Sequence, residues 1–390
     1  MSISVLSGSP LVATPVYNKM LYKVSGSLIA QPNFRYVCDV KNPAGTTLAR
    51  LKCDKLPTTN FGFFDVQKVV ETLVAPTAPS LTQTGFVDHS GFYSGYRLDF
   101  TQEYGNTPVV TGATTTVSGV MAFAGNLEQL ELADWNLDTY FRFGNTFTLV
   151  RPLTTPTAFT VYQGGSNFLA INGTKYVAAG FDSWLASARV AYNGVNYDFA
   201  VSPSLSGTTD YNIQRFACGP ANLLGSIPAL SGAVEGDSYT VRFVSNASSQ
   251  SPPTTFTFGP CERFNSIPVH FVNKYGGIDS YTFTMKNRKR ANIQREVFGY
   301  NSDVYATTTY NKVWAGSFDF VYALNSDWLT DAESEWLIEM VRSGYVWLEL
   351  GGTLVEAVVN ANQYQFVTRR NDRLTQLQIE VAVAYDNNIL

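Results

Sequence analysis

The chain contains two histidines, His89 and His270, and this limits the catalytic chemistry open to it. A serine–histidine–aspartate mechanism would need one of them as its base, and Asp88, His89 and Ser90 are consecutive in the sequence. Adjacent residues of an extended segment point to opposite sides, so these three cannot themselves form a triad. We interpret His89 as a loop histidine. His270 lies in the apolar run 269–272, where a buried core or interface imidazole is expected.

Paired carboxylates are the other chemistry that the composition permits. A glycosidase needs only two acids about 5–10 Å apart. Four acids stand out on alternating or amphipathic faces, where a solvated role is expected: Asp319, Glu339, Glu349 and Glu356. The glycine pairs at 164–165, 276–277 and 351–352 lack the continuation of a phosphate-binding loop and indicate turns. The sequence therefore predicts a protein that is not an enzyme and has no cofactor, with a glycoside hydrolase as a minor alternative.

The cysteines argue against a zinc site. The four of them form no CxxC pair and have no histidine nearby: Cys38, Cys53, Cys218 and Cys261. Cys38 and Cys53 fall on two neighbouring predicted strands, and Cys218 and Cys261 have similar Gly-Pro settings, so either pair could approach in space. Free buried thiols are the preferred interpretation for a chain made in a reducing compartment.

A cluster of cations is the candidate subunit interface. Lys286, Arg288, Lys289 and Arg290 follow a predicted strand and open a polar segment that runs to residue 305. Such a run either forms solvated surface or belongs to an arm that binds an acidic patch of a neighbouring subunit. Arginine suits the second role because it pairs with a carboxylate through two hydrogen bonds. The same interpretation applies more weakly to two further arginines, Arg369 and Arg370.

The composition excludes several function classes. Charged residues make up 15% of the 390 residues, against about 25% in a typical soluble domain, whereas aromatic residues reach 14%. The net charge of −4 provides no positive field for nucleic acid. No run approaches the roughly 18 apolar residues of a membrane span, and the N-terminus has no basic leader segment. We therefore expect no nucleic-acid partner, no membrane segment, and synthesis in a cytoplasm.

The elements that position these residues are mainly strands. The pattern predicts two or three β-sandwich or β-barrel-like domains with few short helices: residues 1–103, a middle β-rich region at 104–260, and a C-terminal β domain at 261–390. One clear helix is predicted near residues 331–343, because Thr330 and Glu333 form a capping box and Gly344 can end it. Asp65 can cap a shorter helix over residues 66–73.

Four segments carry a resemblance to known proteins: residues 269–284 with the basic segment after them, 336–343 with the following Gly-Gly hairpin, 28–40 and 62–70. Together they resemble tail structural proteins of crAss-like and other Bacteroidetes-infecting phages. The resemblance covers about half the chain and none of residues 105–260. The resemblance implies a virion protein that forms a ring around the tail axis or caps it, with no catalytic residues to carry over.

Two functional hypotheses follow. The first is a subunit of a cyclic homo-oligomeric ring in the tail or neck, assembled in the host cytoplasm and stacked on other tail proteins. Ring subunits bury much surface, and interface cores are depleted of charge and enriched in aromatic residues, which fits this composition. The alternative is a carbohydrate- or receptor-binding module of the virion that binds host surface glycans, since exposed tyrosine and tryptophan can stack on sugars.

Overall fold

The computed structural model describes residues 3–6, 13–135, 151–172, 176–178, 181–183, 185–201, 213–245, 250–260, 264–300, 310–360, 376–383 and 387–389. Arg369 and Arg370 lie outside these residues, as does Cys261. None of the helices in the described part of the chain is both long and apolar enough to span a membrane. The described residues are mostly strand, which confirms the expected mainly-β fold with few short helices.

The N-terminal part contains nine strands and two short helices: β1 (Ser4–Val5), β2 (Ala13–Pro15), β3 (Leu21–Ser25), β4 (Arg35–Lys41), β5 (Thr47–Cys53), β6 (Gly62–Asp65), α1 (Gln67–Glu71), β7 (Gly85–Asp88), β8 (Tyr93–Tyr104), β9 (Val109–Phe123) and α2 (Gln129–Ala133). One sheet has the order β2-β9-β8-β4-β5 and the other β1-β3-β6. Phe100 of the larger sheet contacts Tyr22 and Phe64 of the smaller one, with ring centroids 5.9 and 5.8 Å apart. The two sheets form a sandwich.

The middle part contains nine further strands: β10 (Ala158–Val161), β11 (Phe168–Asn172), β12 (Tyr176–Ala178), β13 (Phe181–Ser183), β14 (Leu185–Tyr192), β15 (Val195–Ala200), β16 (Ile213–Ala217), β17 (Ser238–Ser245) and β18 (Thr254–Phe258). It also contains α3 (Pro220–Leu223) and a 3₁₀ helix (Pro228–Gly232). The main sheet has the order β10-β18-β17-β14-β15, a smaller one β11-β16-β7, and β12 pairs with β13.

The C-terminal part contains one large sheet and one helix: β19 (Ile267–Val272), β20 (Ile278–Phe283), β21 (Arg288–Tyr300), β22 (Tyr310–Asn325), α4 (Asp331–Arg342), β23 (Val346–Leu350), β24 (Thr353–Val359), β25 (Gln378–Val383) and β26 (Asn387–Ile389). The sheet order is β20-β19-β23-β24-β25-β22-β21, and β26 pairs with β22. Apolar residues recur at every second position from Leu377 to Val383, a pattern that predicts a strand with one buried face, and the structure confirms it, because Ile379, Val381 and Val383 of β25 are buried.

Strand pairing does not follow the first predicted domain limit. The limit at residue 103 falls inside the β8–β9 hairpin, and β7 pairs with β16, which lies about 130 residues later in the chain. The limit at residue 260 falls between β18 and β19, which belong to different sheets. The division into three domains stays a prediction. At its first limit, near residue 103, the β8–β9 pair and the β7–β16 pair both join residues from the two sides of that limit.

Helix α4 forms as the sequence predicts. The hydroxyl of Thr330 accepts a hydrogen bond from the Glu333 N–H at 3.3 Å, and the Thr330 N–H donates to Glu333 Oε2 at 2.9 Å. The helix lies between two sheets, because the Trp336 ring is 5.5 Å from the ring of Phe159 and 5.8 Å from that of Phe271. α1 is shorter than predicted, although Asp65 Oδ1 does accept from the Gln67 N–H at 3.2 Å.

The N-cap of α4 provides a first test. Thr330→Ala removes the side-chain acceptor of the capping box, and we expect it to lower the free energy of unfolding by about 1 kcal/mol. Thr330→Ser keeps the acceptor and should retain most of that stability. Urea denaturation followed by tryptophan fluorescence measures both variants, and equal losses for alanine and serine would contradict a capping role.

Candidate functional site

The structure buries both histidines. His89 lies in the loop between β7 and β8, as expected for a loop histidine, but it is fully buried, and its ring stacks on Phe92 with centroids 3.7 Å apart. Its Nε2 lies 3.1 Å from the carbonyl oxygen of Gly276, so this nitrogen is the donor. Burial, with a smaller effect from the charge of Arg215, lowers the pKa of His89 well below its ordinary value. His89 is therefore a neutral core residue at pH 7.

His270 is buried as predicted and lies in a short row of polar side chains. Its Nδ1 is 2.7 Å from the hydroxyl of Ser280, and its Nε2 is 3.5 Å from Glu349 Oε2. That carboxylate oxygen is buried, so the expectation of a solvated Glu349 is wrong. Ser280 and His270 are both buried and Glu349 is half-buried, so the row runs from the interior of the packed sheets towards the surface.

The structure buries two carboxyl groups against α4, one of which the sequence analysis missed. Glu339 was expected to be solvated but is 8% exposed. Its two oxygens accept from the Thr155 hydroxyl at 2.6 Å and from the Lys274 N–H at 3.2 Å. Burial raises the pKa of Glu339. Both of its oxygens therefore bind groups of its own chain. Among the other candidates, Glu356 is exposed and Asp319 half-buried.

Asp279 of β20 is the carboxyl group that the sequence analysis missed. It accepts from Trp336 Nε1 at 2.7 Å and from Asn273 Nδ2 at 2.9 Å, so each of its oxygens has a donor. Burial, reinforced by the charge of Glu339, raises the pKa of Asp279 to about 7. An acid within a strand, between a Gly-Gly turn and apolar residues, was the only signal in the sequence. Its partners come from α4 and a turn, and no local pattern identifies them.

Three described cysteines are free, as expected. Cys38 and Cys218 are buried and Cys53 is half-buried, and burial raises the pKa of each thiol. β4 and β5 are neighbours, as predicted, and pair Tyr36 with Cys53. Within the part of the chain that the structure describes, no three His, Cys, Asp or Glu residues are grouped closely enough to hold a metal ion.

The cation cluster lies at the base of a long hairpin. Lys286 precedes β21, and Arg288, Lys289 and Arg290 are its first residues, all four exposed. Arg290 forms an ion pair with Glu380 of the same chain. The Lys289 ammonium lies 3.6 Å from the centroid of the Phe320 ring, a cation–π contact. Two of the four cations thus already have partners on the adjacent strands.

We call β21 and β22 together the ribbon. Residues 288–300 pair with residues 310–323 in antiparallel register, with a bulge beside Glu296. β22 carries β25 opposite residues 321–325 and β26 opposite 316–318, and among the described residues no further strand pairs with either strand. The sequence predicts a polar segment where β21 lies, because its Arg, Asn and Gln residues obscure the strand pattern, whereas the alternation of Phe318, Phe320 and Tyr322 with Asp319 and Val321 correctly predicts a strand within β22.

The outer strand of the ribbon is exposed along its described side chains. Residues 288–297 are all exposed, and they include two apolar side chains, Ile293 at 54% and Val297 at 59%. An edge strand of this length presents unpaired backbone groups that can bind another chain. A two-stranded ribbon is marginally stable alone in water. The ribbon therefore offers another chain an open strand edge together with two exposed apolar side chains.

Comparison with known proteins gives no family. No family model and no curated protein matches the sequence. The solved structures similar to this chain include the fibronectin(III)-like modules of Clostridium thermocellum CbhA and the full extracellular region of plexin A4. The first has 10% identity, a TM-score of 0.17, and coverage of 66% of this chain and 93% of that chain. The second has 9% identity, a TM-score of 0.20, and coverage of 98% of this chain and 39% of that chain. Such scores support no conclusion about function.

The raised pKa of Asp279 predicts a pH-dependent stability. The carboxyl group of Asp279 has a pKa of 3.8 in the unfolded chain and of about 7 in the folded protein. Between these two pH values the folded protein therefore binds a proton that the unfolded chain has lost. Stability from this group is full below the lower value and is lost as the pH rises through the upper one. Glu339 acts in the same direction and His89 in the opposite one.

Asp279→Asn isolates this effect because the amide cannot ionise. We expect the variant to be less stable than the wild type at about pH 5, since an amide faces two donors with only one acceptor. The difference between the two proteins should shrink as the pH rises to about 8, because only the wild type loses stability there. Urea midpoints across this range measure it, and a difference independent of pH would show that Asp279 has an ordinary pKa.

Proposed function

We propose that the protein is a structural subunit of a phage virion that assembles with copies of itself into a cyclic ring in the tail or neck. The observation that carries the proposal is the ribbon, which projects an exposed strand with apolar side chains. A ribbon on one copy that binds a different surface on the next copy makes a heterologous contact, and such contacts close into rings when the rotation allows.

The distribution of charge supports contact between copies. The chain has 27 Lys and Arg against 31 Asp and Glu. Residues 286–295 contain five of these cations and no acid, so the rest of the chain has 22 cations against 31 acids and a net charge of −9. Cations at the base of the ribbon would be attracted to the acidic remainder of a neighbouring copy. Arginine also suits this role because its guanidinium pairs with carboxylates in a fixed geometry.

The low charge content and the phage-tail resemblance of the sequence supply the virion part of the proposal. With 15% charged residues, the chain resembles one whose surface is largely covered in an assembly. The other proposed partners are the tail or neck proteins above and below the ring. Negative-stain electron microscopy of the purified protein, followed by its localisation in intact particles, tests this directly. A protein that is absent from particles would refute the virion role.

The exposed apolar residues of the ribbon give a sharper test. The double substitution Ile293→Asp and Val297→Asp puts two charges where a partner would cover apolar surface, and we expect it to convert oligomers to monomers in mass photometry. Val195→Asp is the matched control: Val195 is 50% exposed and begins β15 of another hairpin. It should leave the oligomer intact. A wild type that stays monomeric at high concentration would contradict the proposal.

A further inference from the structure

The core-side face of the ribbon follows from its strand pairing. Directly opposite residues of an antiparallel pair lie on the same side of a sheet, and Ile293 of β21 is opposite Phe318 of β22. Phe318 lies on the same side as Tyr322, which is buried in the core. The extra residue of the bulge belongs to β22, so side chains alternate along β21 without interruption. Ile293, Arg295 and Val297 therefore share the core side of the sheet, and we call them the ribbon face.

The ribbon face has a cation between two apolar side chains. Ile293 is 54% exposed and Val297 59%, and Arg295 between them is exposed as well. Arg295 forms no ion pair with any described residue. Successive members of the face are about 7 Å apart along the strand. The ribbon face thus places a positive charge between two apolar contacts.

Strand β24 has the same spacing with the opposite charge, on the other side of the sheet. Ala357 is buried in the same core as Tyr322, so Leu354, Glu356 and Val358 lie on the opposite side. Val358 is 55% exposed, Glu356 is exposed and Leu354 is half-buried. Within the described part of the chain, Glu356 forms no ion pair. We call Leu354, Glu356 and Val358 the β24 face.

The neighbours of the β24 face favour a cation. Ala382, whose side chain is small, is opposite Val358 on β25, and Trp347 is opposite Glu356 on β23. Glu349 lies on the same side, diagonal to Glu356, and none of the described lysines or arginines pairs with it. Diagonal neighbours are roughly 7–8 Å apart, so the two carboxylates reinforce each other in attracting a cation. The β24 face is thus an acidic surface with apolar side chains at its ends.

We propose that the β24 face of one copy of the chain binds the ribbon face of the next copy. Arg295 pairs with Glu356, and the apolar ends of the two faces pack against each other. Because the two faces lie on opposite sides of one sheet, the front of each copy meets the back of its neighbour, and the same contact can repeat around a ring. This contact, which rests on the proposed ring, gives the ribbon its receiving surface.

Exchange of the two charges tests the contact in the full chain. Arg295→Glu alone and Glu356→Arg alone place like charges opposite each other, so each should raise the Kd of association at least about tenfold in a mass-photometry dilution series. The double variant restores opposite charges and should assemble again. An equimolar mixture of the two single variants should also assemble, because every contact between alternating copies then has one cation and one acid.

Arg151→Glu and Glu235→Arg are the matched controls. Both residues are exposed and lie outside the two faces, so these variants should assemble like the wild type. The urea midpoints of all variants should equal that of the wild type, since each changed residue is exposed. Single variants that assemble normally, or a folded double variant or mixture that stays dissociated, would overturn this contact and leave the ring proposal standing. A wild type that stays monomeric at high concentration would overturn both.

Discussion

The side chain of Asn273 forms the set of hydrogen bonds that holds the turn after β19, the turn at which the three parts of the chain meet. It is 2% exposed and uses all of its capacity: Oδ1 accepts from the N–H groups of Tyr275 and Gly277, and Nδ2 donates to the Leu153 carbonyl and to Asp279. Two of these bonds fold the turn after β19, one reaches the middle part of the chain, and one reaches β20. A buried amide with all partners present is stabilising, whereas a partly satisfied one is costly.

The remaining contacts of this turn explain why so many buried polar groups occur together. His89 donates to the Gly276 carbonyl, and the Lys274 N–H donates to Glu339 of α4. Gly277 has to be glycine, because a Cβ there would lie 2.2 Å from the Leu153 oxygen. The turn therefore joins the N-terminal sheet, the segment before β10 and α4 through backbone atoms that need partners. Glu339 is held in the core as the acceptor for the Lys274 N–H, and Asp279 as the acceptor for the side chains of Asn273 and Trp336.

The sequence correctly predicts the features of the fold that depend on interactions between neighbours in the chain. The capping box of Thr330 and Glu333, the turn at 273–277 and the buried face of β25 were all legible in the sequence, because each involves neighbours in the chain. The expectation that Glu339 is solvated is wrong because of the way α4 is packed. An amphipathic pattern assumes that one face of a helix is covered, but sheets lie on both sides of α4, and its polar side meets Thr155 and Lys274. Whether a helix is covered on one side or on both depends on how the sheets pack around it, which the sequence of the helix does not show.

The sequence pattern also does not predict which strands pair with one another. β21 contains few apolar residues, so it acquires its strand conformation from β22 and not from its own pattern. The exposed surface of β21 contains both cations and apolar side chains, and the two kinds would act on a partner in different ways. The cations near Arg288 act over distances of about 10 Å and weaken with salt, so they would orient an approaching copy. Ile293 and Val297 act only on contact and are not screened by salt, so they would hold a copy in place once it is bound.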